Sequence, residues 1–174
     1  ADGRVVTADV VLANADLPYV YRELLEAPSQ RAKKFTSSAL VFLLGCDRSW
    51  STVLHHNVLF GHDYKNAFDD IFARGRVPAS PSFYVANPAA TDASMAPAGK
   101  SALYVLVPVP HLKAGGVGSK AEPGEIDWKD ERVVSRVRET VFDRIDRTIA
   151  PGLRDSIEVE RTITPLDWRS RFSL

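Results

Sequence analysis

The sequence predicts an α+β domain, a sheet with covering helices. Three observations carry this. Short runs rich in β-branched and aromatic residues recur at 38–46, 82–86, 101–109 and 157–163, separated by turn-forming residues. One long stretch, residues 129–150, repeats its apolar residues at spacings of three and four. The composition is that of a globular domain, 45% hydrophobic and 25% charged over 174 residues. The expected sheet is large and mixed, with parallel and antiparallel neighbours.

The elements follow in order. Asp2-Gly3 is a turn dipeptide, because glycine tolerates positive φ, and residues 4–7 and 9–13 read as strands after it. Asp16 stands as a helix cap with Pro18 in the first turn, and Val20, Leu24 and Leu25 form a helical stripe. Residues 31–34 are a basic connection. Residues 38–46 carry no charge and read as a buried strand, and 56–60 as a shorter one. Tyr64, Phe68, Ile71 and Phe72 share one side of a helix over 64–73, which Gly75 stops. Residues 82–86 and 101–109 are strands; 87–99 and 111–124 are loops rich in glycine, proline and small residues. On the helix over 129–150, Val134, Val137, Val141, Ile145 and Ile149 face inward and the charges, Arg144 among them, face water. Residues 157–163 alternate as a strand, and 167–172 form a last short helix.

Charge and cysteine content exclude several classes. Lys plus Arg and Asp plus Glu both number 22, giving net charge zero, which argues against a nucleic-acid binder. The single cysteine, Cys46, excludes an internal disulfide and a multi-cysteine zinc site. The longest apolar run, residues 39–46, is far shorter than the ~20 residues of a membrane-spanning helix. The chain begins at Ala1 without an initiator methionine, and its first turn has one arm, so it is expected to be part of a longer protein.

Motifs with chemical potential are few. Gly115-Gly116-Val117-Gly118-Ser119-Lys120 imitates a phosphate loop, but Ala121 stands where magnesium binding needs Ser or Thr, so a surface loop is the better reading. His55, His56, His62 and His111 lack zinc-ligand spacing, and His55 and His56 fall on opposite faces if both lie in a strand. No metal is expected. Aromatics on strands, Phe42, Phe60, Phe83 and Tyr84, line an apolar channel or pack a core, and pattern alone favours the core.

The order of short segments resembles the phytoene desaturases of bacterial and fungal type. The matching stretches are Ala8 through Tyr19 (ADVVLANADLPY), Lys33-Lys34-Phe35-Thr36-Ser37-Ser38, and His55-His56-Asn57-Val58-Leu59-Phe60. They continue with residues 64–72, 81–85, 92–99 and 106–112, and end with Thr164-Pro165-Leu166-Asp167-Trp168. The wording Ser82-Phe83-Tyr84-Val85 leans toward the fungal members. The resemblance implies an FAD-dependent oxidoreductase of CH–CH bonds that extends the conjugation of phytoene toward lycopene or beyond. Hydride goes to the flavin and a proton leaves the adjacent carbon, with oxygen, quinone or NAD(P) as terminal acceptor.

It further implies a short piece of a Rossmann-like FAD domain at residues 1–30 and a substrate domain at 31–174. Ala13, Asn14, Ala15 and Asp16 correspond to the cofactor side, and Phe42, Leu44, Phe83 and Tyr84 to the substrate side. No residue is assigned as catalytic acid or base. The Gly-x-Gly-x-x-Gly fingerprint is absent, so this chain alone is not expected to be a competent enzyme. The resemblance is compatible with a homo-oligomer, and places the protein intracellularly, peripheral to a membrane. Residues 60–72, with Phe60, Tyr64, Phe68, Ile71 and Phe72, either make that contact as an aromatic patch or pack their rings into the core. Two rivals stand beside this reading. One is a related ketolase or retinol saturase; the other is a non-catalytic module binding an apolar ligand or a partner protein.

Overall fold

The computed structural model describes residues 3–27, 36–112 and 126–172. Its centre is a five-stranded sheet of order β2-β3-β4-β1-β5, with β1 at Ser38–Cys46, β2 at His56–Leu59, β3 at Phe83–Ala86, β4 at Ser101–Val109 and β5 at Ile157–Ile163. Every pairing is antiparallel, which corrects the expected mixed sheet. The reason is connectivity. A parallel neighbour needs a crossover that returns the chain to its starting end. Here the connections deliver each strand to its neighbour from the opposite end.

The two long central strands, β1 and β4, pair along their whole length, from Ser38 opposite Val109 to Cys46 opposite Ser101. Side chains alternate across such a pair, and burial follows. On β4, Leu103, Val105, Val107 and Val109 are buried, whereas Tyr104 and Leu106 are half-buried. The buried set forms one core with Leu40, Phe42 and Leu44 of β1 and with Val137, Val141, Phe142 and Ile145 of the long helix. That helix, α3, spans Glu131–Thr148. Its Phe142 meets Phe42 edge-on, centroids 5.2 Å apart. The Asp130 carboxylate accepts from the Arg132 backbone N–H and caps the helix. The Arg132 guanidinium beside Asp130, with that N–H, holds the carboxyl below its usual range.

Two indoles tie the periphery to this core. Trp50 Nε1 donates to Pro151 O at 2.9 Å, and Trp168 Nε1 donates to Ala39 O at 2.8 Å. Trp168 sits on α5, Pro165–Phe172; a short turn, α4, at Leu153–Ser156 leads into β5. At the far edge, Arg138 of α3 forms a bidentate pair with Glu160 of β5 and lies over the Phe142 ring.

Helix α2 begins at Tyr64–Asp69 and widens through Asp70–Arg74. The Asp63 side chain accepts from Asn66 N at its start, and Gly75 ends it at φ 64°, a backbone state that favours glycine. Helix α1, Leu17–Tyr19 continuing through Val20–Leu24, follows Asp16, which stands at the cap position without a side-chain bond. The strands expected over 4–7 and 9–13 are absent among the described residues: Val5, Val10 and Leu12 are 83–92% exposed. A strand exists through its ladder, and this stretch has no neighbouring strand to bond. The basic connection over 31–34 and the glycine-rich run over 115–120 lie outside the described residues.

Candidate functional site

Antiparallel register assembles a second sheet face from residues scattered over more than a hundred positions. One row runs across all five strands: Val58 opposite Tyr84, Tyr84 opposite Leu106, Leu106 opposite Val41, Val41 opposite Ile163. The adjacent row on the same face is His56, Ala86, Tyr104, Leu43 and Arg161. At ~4.8 Å between strands, each row extends roughly 19 Å. The face is largely apolar, with one polar residue on each edge strand, His56 on β2 and Arg161 on β5. The helix α3 core lies on the other side, and most of these residues keep partial exposure. Val58 is 58% exposed, Tyr84, Tyr104, Leu106 and Leu43 are half-buried, and Val41 is fully covered.

One corner of this face carries a cluster of titratable and hydrogen-bonding groups. His56 Nδ1 and the Tyr84 hydroxyl share a hydrogen bond of 2.5 Å, their rings stacked at 5.9 Å. The His55 ring lies 4.2 Å from that of His56, and its Nδ1 lies 2.5 Å from Thr91 Oγ1. The two histidines thus do not diverge as strand neighbours should. His55 lies in the bend ahead of β2, not in the ladder, so alternation does not apply to it. Tyr104 lies 6.5 Å from Tyr84 between ring centroids. Burial, then the neighbouring Tyr84, pushes its phenol above the usual range. Among the described residues, no three His, Cys, Asp or Glu side chains converge in a metal-holding group.

Parity separates the residues expected to face substrate. Tyr84 stands on the second face. Phe42, Leu44 and Phe83 are 0–3% exposed and belong to the core under α3, so in this fold their surface is spent on packing. Tyr104, Leu106, Leu43 and Val58 were missed. Their signal was available, since they occupy the alternate positions of the same strands, but sequence does not say which alternate set a helix covers.

The residues expected on the cofactor side, Ala13, Asn14, Ala15 and Asp16, lie in an irregular stretch before α1; the first three are exposed and Asp16 is half-buried. They offer no glycine turn against a helix N-terminus and no buried polar atom around a pyrophosphate. On their own they do not fit FAD.

Helix α2, with Phe60 ahead of it, displays a ladder of rings. Phe60 meets Tyr64 at 6.3 Å, Tyr64 meets Phe68 at 5.9 Å and Phe68 meets Phe72 at 4.5 Å. All four are 43–67% exposed, whereas Ile71 turns inward at 9%. A separate shallow pocket of about 460 Å³ lies between the β1–β2 connection and the loop before β4, lined in part by Trp50, His55, Asn87 and Ser101. No helix among the described residues is long and apolar enough to cross a membrane.

No family model matches the chain. Curated relatives do. The chain is 48% identical, over 99% of its length, to the zeta-carotene-forming phytoene desaturase of Myxococcus xanthus. It is 34% identical, over 98%, to the phytoene dehydrogenase of Streptomyces griseus. It is 32% identical, over 100%, to the phytoene desaturase of Fusarium fujikuroi. The fungal leaning of the residue wording is therefore not reflected in overall identity. The chain spans about a third of the length of these relatives, 32–33%.

Proposed function

As a homologue of the phytoene desaturases along about a third of their length, this chain, we propose, forms the substrate-binding wall of a carotenoid desaturase that introduces double bonds into phytoene. The observation that carries the reading is the second sheet face: an apolar strip across five strands, at least partly exposed except at Val41, with His56 and Arg161 at its edges. A long polyene has no polar group to recognise, so it is held by apolar area and shape. In this reading residues 31–174 are the substrate domain and residues 1–30 the edge of a cofactor domain. FAD is the cofactor the family resemblance brings. Since Ala13–Asp16 do not hold it alone, its binding falls to other parts of the polypeptide.

The same reading gives the protein a peripheral place at a membrane, where its apolar substrate dissolves. The exposed ring ladder of α2 supports this. Exposed aromatic rings suit the lipid interface, and the net charge of zero gives no overall attraction to anionic headgroups.

The test grafts this chain in place of the matching third of the Myxococcus xanthus relative and supplies phytoene. Conversion to a product of longer conjugation is expected, and Leu106→Gln on the wall should reduce it at least tenfold while circular dichroism stays unchanged. An oxygenated or saturated product would move the chain to the ketolase or retinol saturase reading. A folded, flavin-loaded graft that leaves phytoene unchanged would sink the desaturase reading.

A further inference from the structure

We propose that Tyr84 and His56 form the pair that takes up the proton released when the polyene is desaturated. This rests on the second face being the substrate wall. Making one C=C bond removes hydrogen from two adjacent carbons. One leaves with its electron pair, as hydride, to the two-electron acceptor of the reaction. The other leaves as a proton, and the electron pair of its C–H bond becomes the new π bond. The second departure needs a base, and on an apolar wall it also needs a way out to water, because a bare charge left among apolar side chains is strongly disfavoured.

The geometry supplies both. Tyr84 stands in the apolar row, half-buried, between Val58 and Leu106. Its hydroxyl is 2.5 Å from His56 Nδ1, and His56 is exposed on the edge strand. The pair therefore reaches from one strand inside the wall to its wet rim. The substrate proton passes to the Tyr84 oxygen as the phenolic proton passes to His56 Nδ1. The resulting imidazolium gives it up to water from the exposed edge. One O–H bond breaks and one forms at Tyr84, so the phenol is unchanged at the end. Once hydride departure has begun, the remaining C–H bond is acidic enough that a weak base serves, as in other proton transfers timed with bond cleavage.

The neighbours support this role. The His55 ring lies 4.2 Å from that of His56 and is itself hydrogen-bonded to Thr91, so His56 is flanked by His55 as well as by Tyr84. Tyr104, the other phenol of the wall, stands opposite Ala86 and Leu43 across the ladder and meets Tyr84 edge-on, ring centroids 6.5 Å apart.

Two measurements test the pair, one of them independent of turnover. In this chain, nitrogen-15 NMR of the His56 ring should show the neutral Nε2–H tautomer, with Nδ1 accepting from Tyr84. The Nδ1 resonance should move in Tyr84→Phe. A His56 that carries its proton on Nδ1 and donates to Tyr84 overturns the proposal. In the graft described above, Tyr84→Phe and His56→Gln should each lower phytoene conversion by about a hundredfold, a typical loss for a missing proton acceptor. Phytoene binding should stay unchanged in Tyr84→Phe, because the ring that lines the wall is retained. Conversion within twofold of the parent in both variants, with Leu106→Gln still impaired, rejects the proton pair and leaves the wall standing. If Leu106→Gln is harmless as well, the wall reading itself fails.

Discussion

Arg144 sits among the charges of α3, and its position in the helical pattern marks it as a solvated side chain. The structure corrects that. Its guanidinium donates to Pro81 O and to Phe60 O, both at 2.6 Å, and lies 4.9 Å from the centroid of Phe83. It clamps the α3 layer to the chain around β2 and β3. Periodicity assigns a face to a residue's Cβ, but a long side chain reaches past its face. Arg144→Ala should therefore cost about 2 kcal/mol, the range for hydrogen bonds to a charged group, where an exposed charge costs almost nothing. Urea denaturation of the two proteins measures this, and a loss under about 0.5 kcal/mol would show that the clamp is idle. Asp70 is the second residue with a legible consequence. Arg74 and Arg76 both donate to its Oδ1, at 2.7 and 2.8 Å, and the Arg74 bond chiefly holds its carboxyl below the usual range. A carboxyl lowered on folding stabilises the fold above its unfolded value, near about 3.9, and this is lost as pH falls through the folded value. Thermal melts should thus drop on acidification below about pH 4, and the drop should be smaller in Asp70→Asn.

Among the elements, the strands and helices were largely legible in the sequence. Residues 38–46, 101–109 and 157–163 were delimited as strands and appear as β1, β4 and β5 with the same bounds. The uncharged apolar runs 38–46 and 101–109 have few alternatives, and 157–163 declares itself by its alternation of Ile157, Val159, Arg161 and Ile163. The helix expected over 129–150 is two residues shorter at each end, Glu131–Thr148, and its stripe faces the core with Phe142 added and Ile149 at the cap position. What the pattern did not reveal is which side of each strand α3 would cover. Phe83 and Tyr84 are neighbours of similar character, yet one is 2% exposed in the core and the other lies on the second face. The same parity makes Phe42 a packing residue against Phe142 and Val105. Phe42→Ala should cost about 3–5 kcal/mol, the usual range for a buried phenylalanine. Chemical denaturation checks it, and a loss below about 1 kcal/mol is incompatible with a fully buried ring.

At the scale of the molecule, the ring ladder, the second face and the stretch before α1 present apolar surface outward. If the ladder meets lipid, binding to neutral phosphatidylcholine vesicles should persist at high salt, because screening weakens only the charge contribution. Phe68→Ser should weaken it severalfold in a flotation assay; binding that requires anionic lipid and disappears in salt would reject the membrane role. By itself, the sequence determined the α+β class, the bounds of the long elements, the absence of a disulfide framework and the family resemblance, because these depend on composition and on order along the chain. Tertiary structure decided the strand order, the antiparallel register and the division of each strand into core and wall. It also brought His56 to Tyr84 across 28 positions. These depend on which segments meet in space, and side-chain alternation within a strand is symmetric until a covering helix breaks that symmetry.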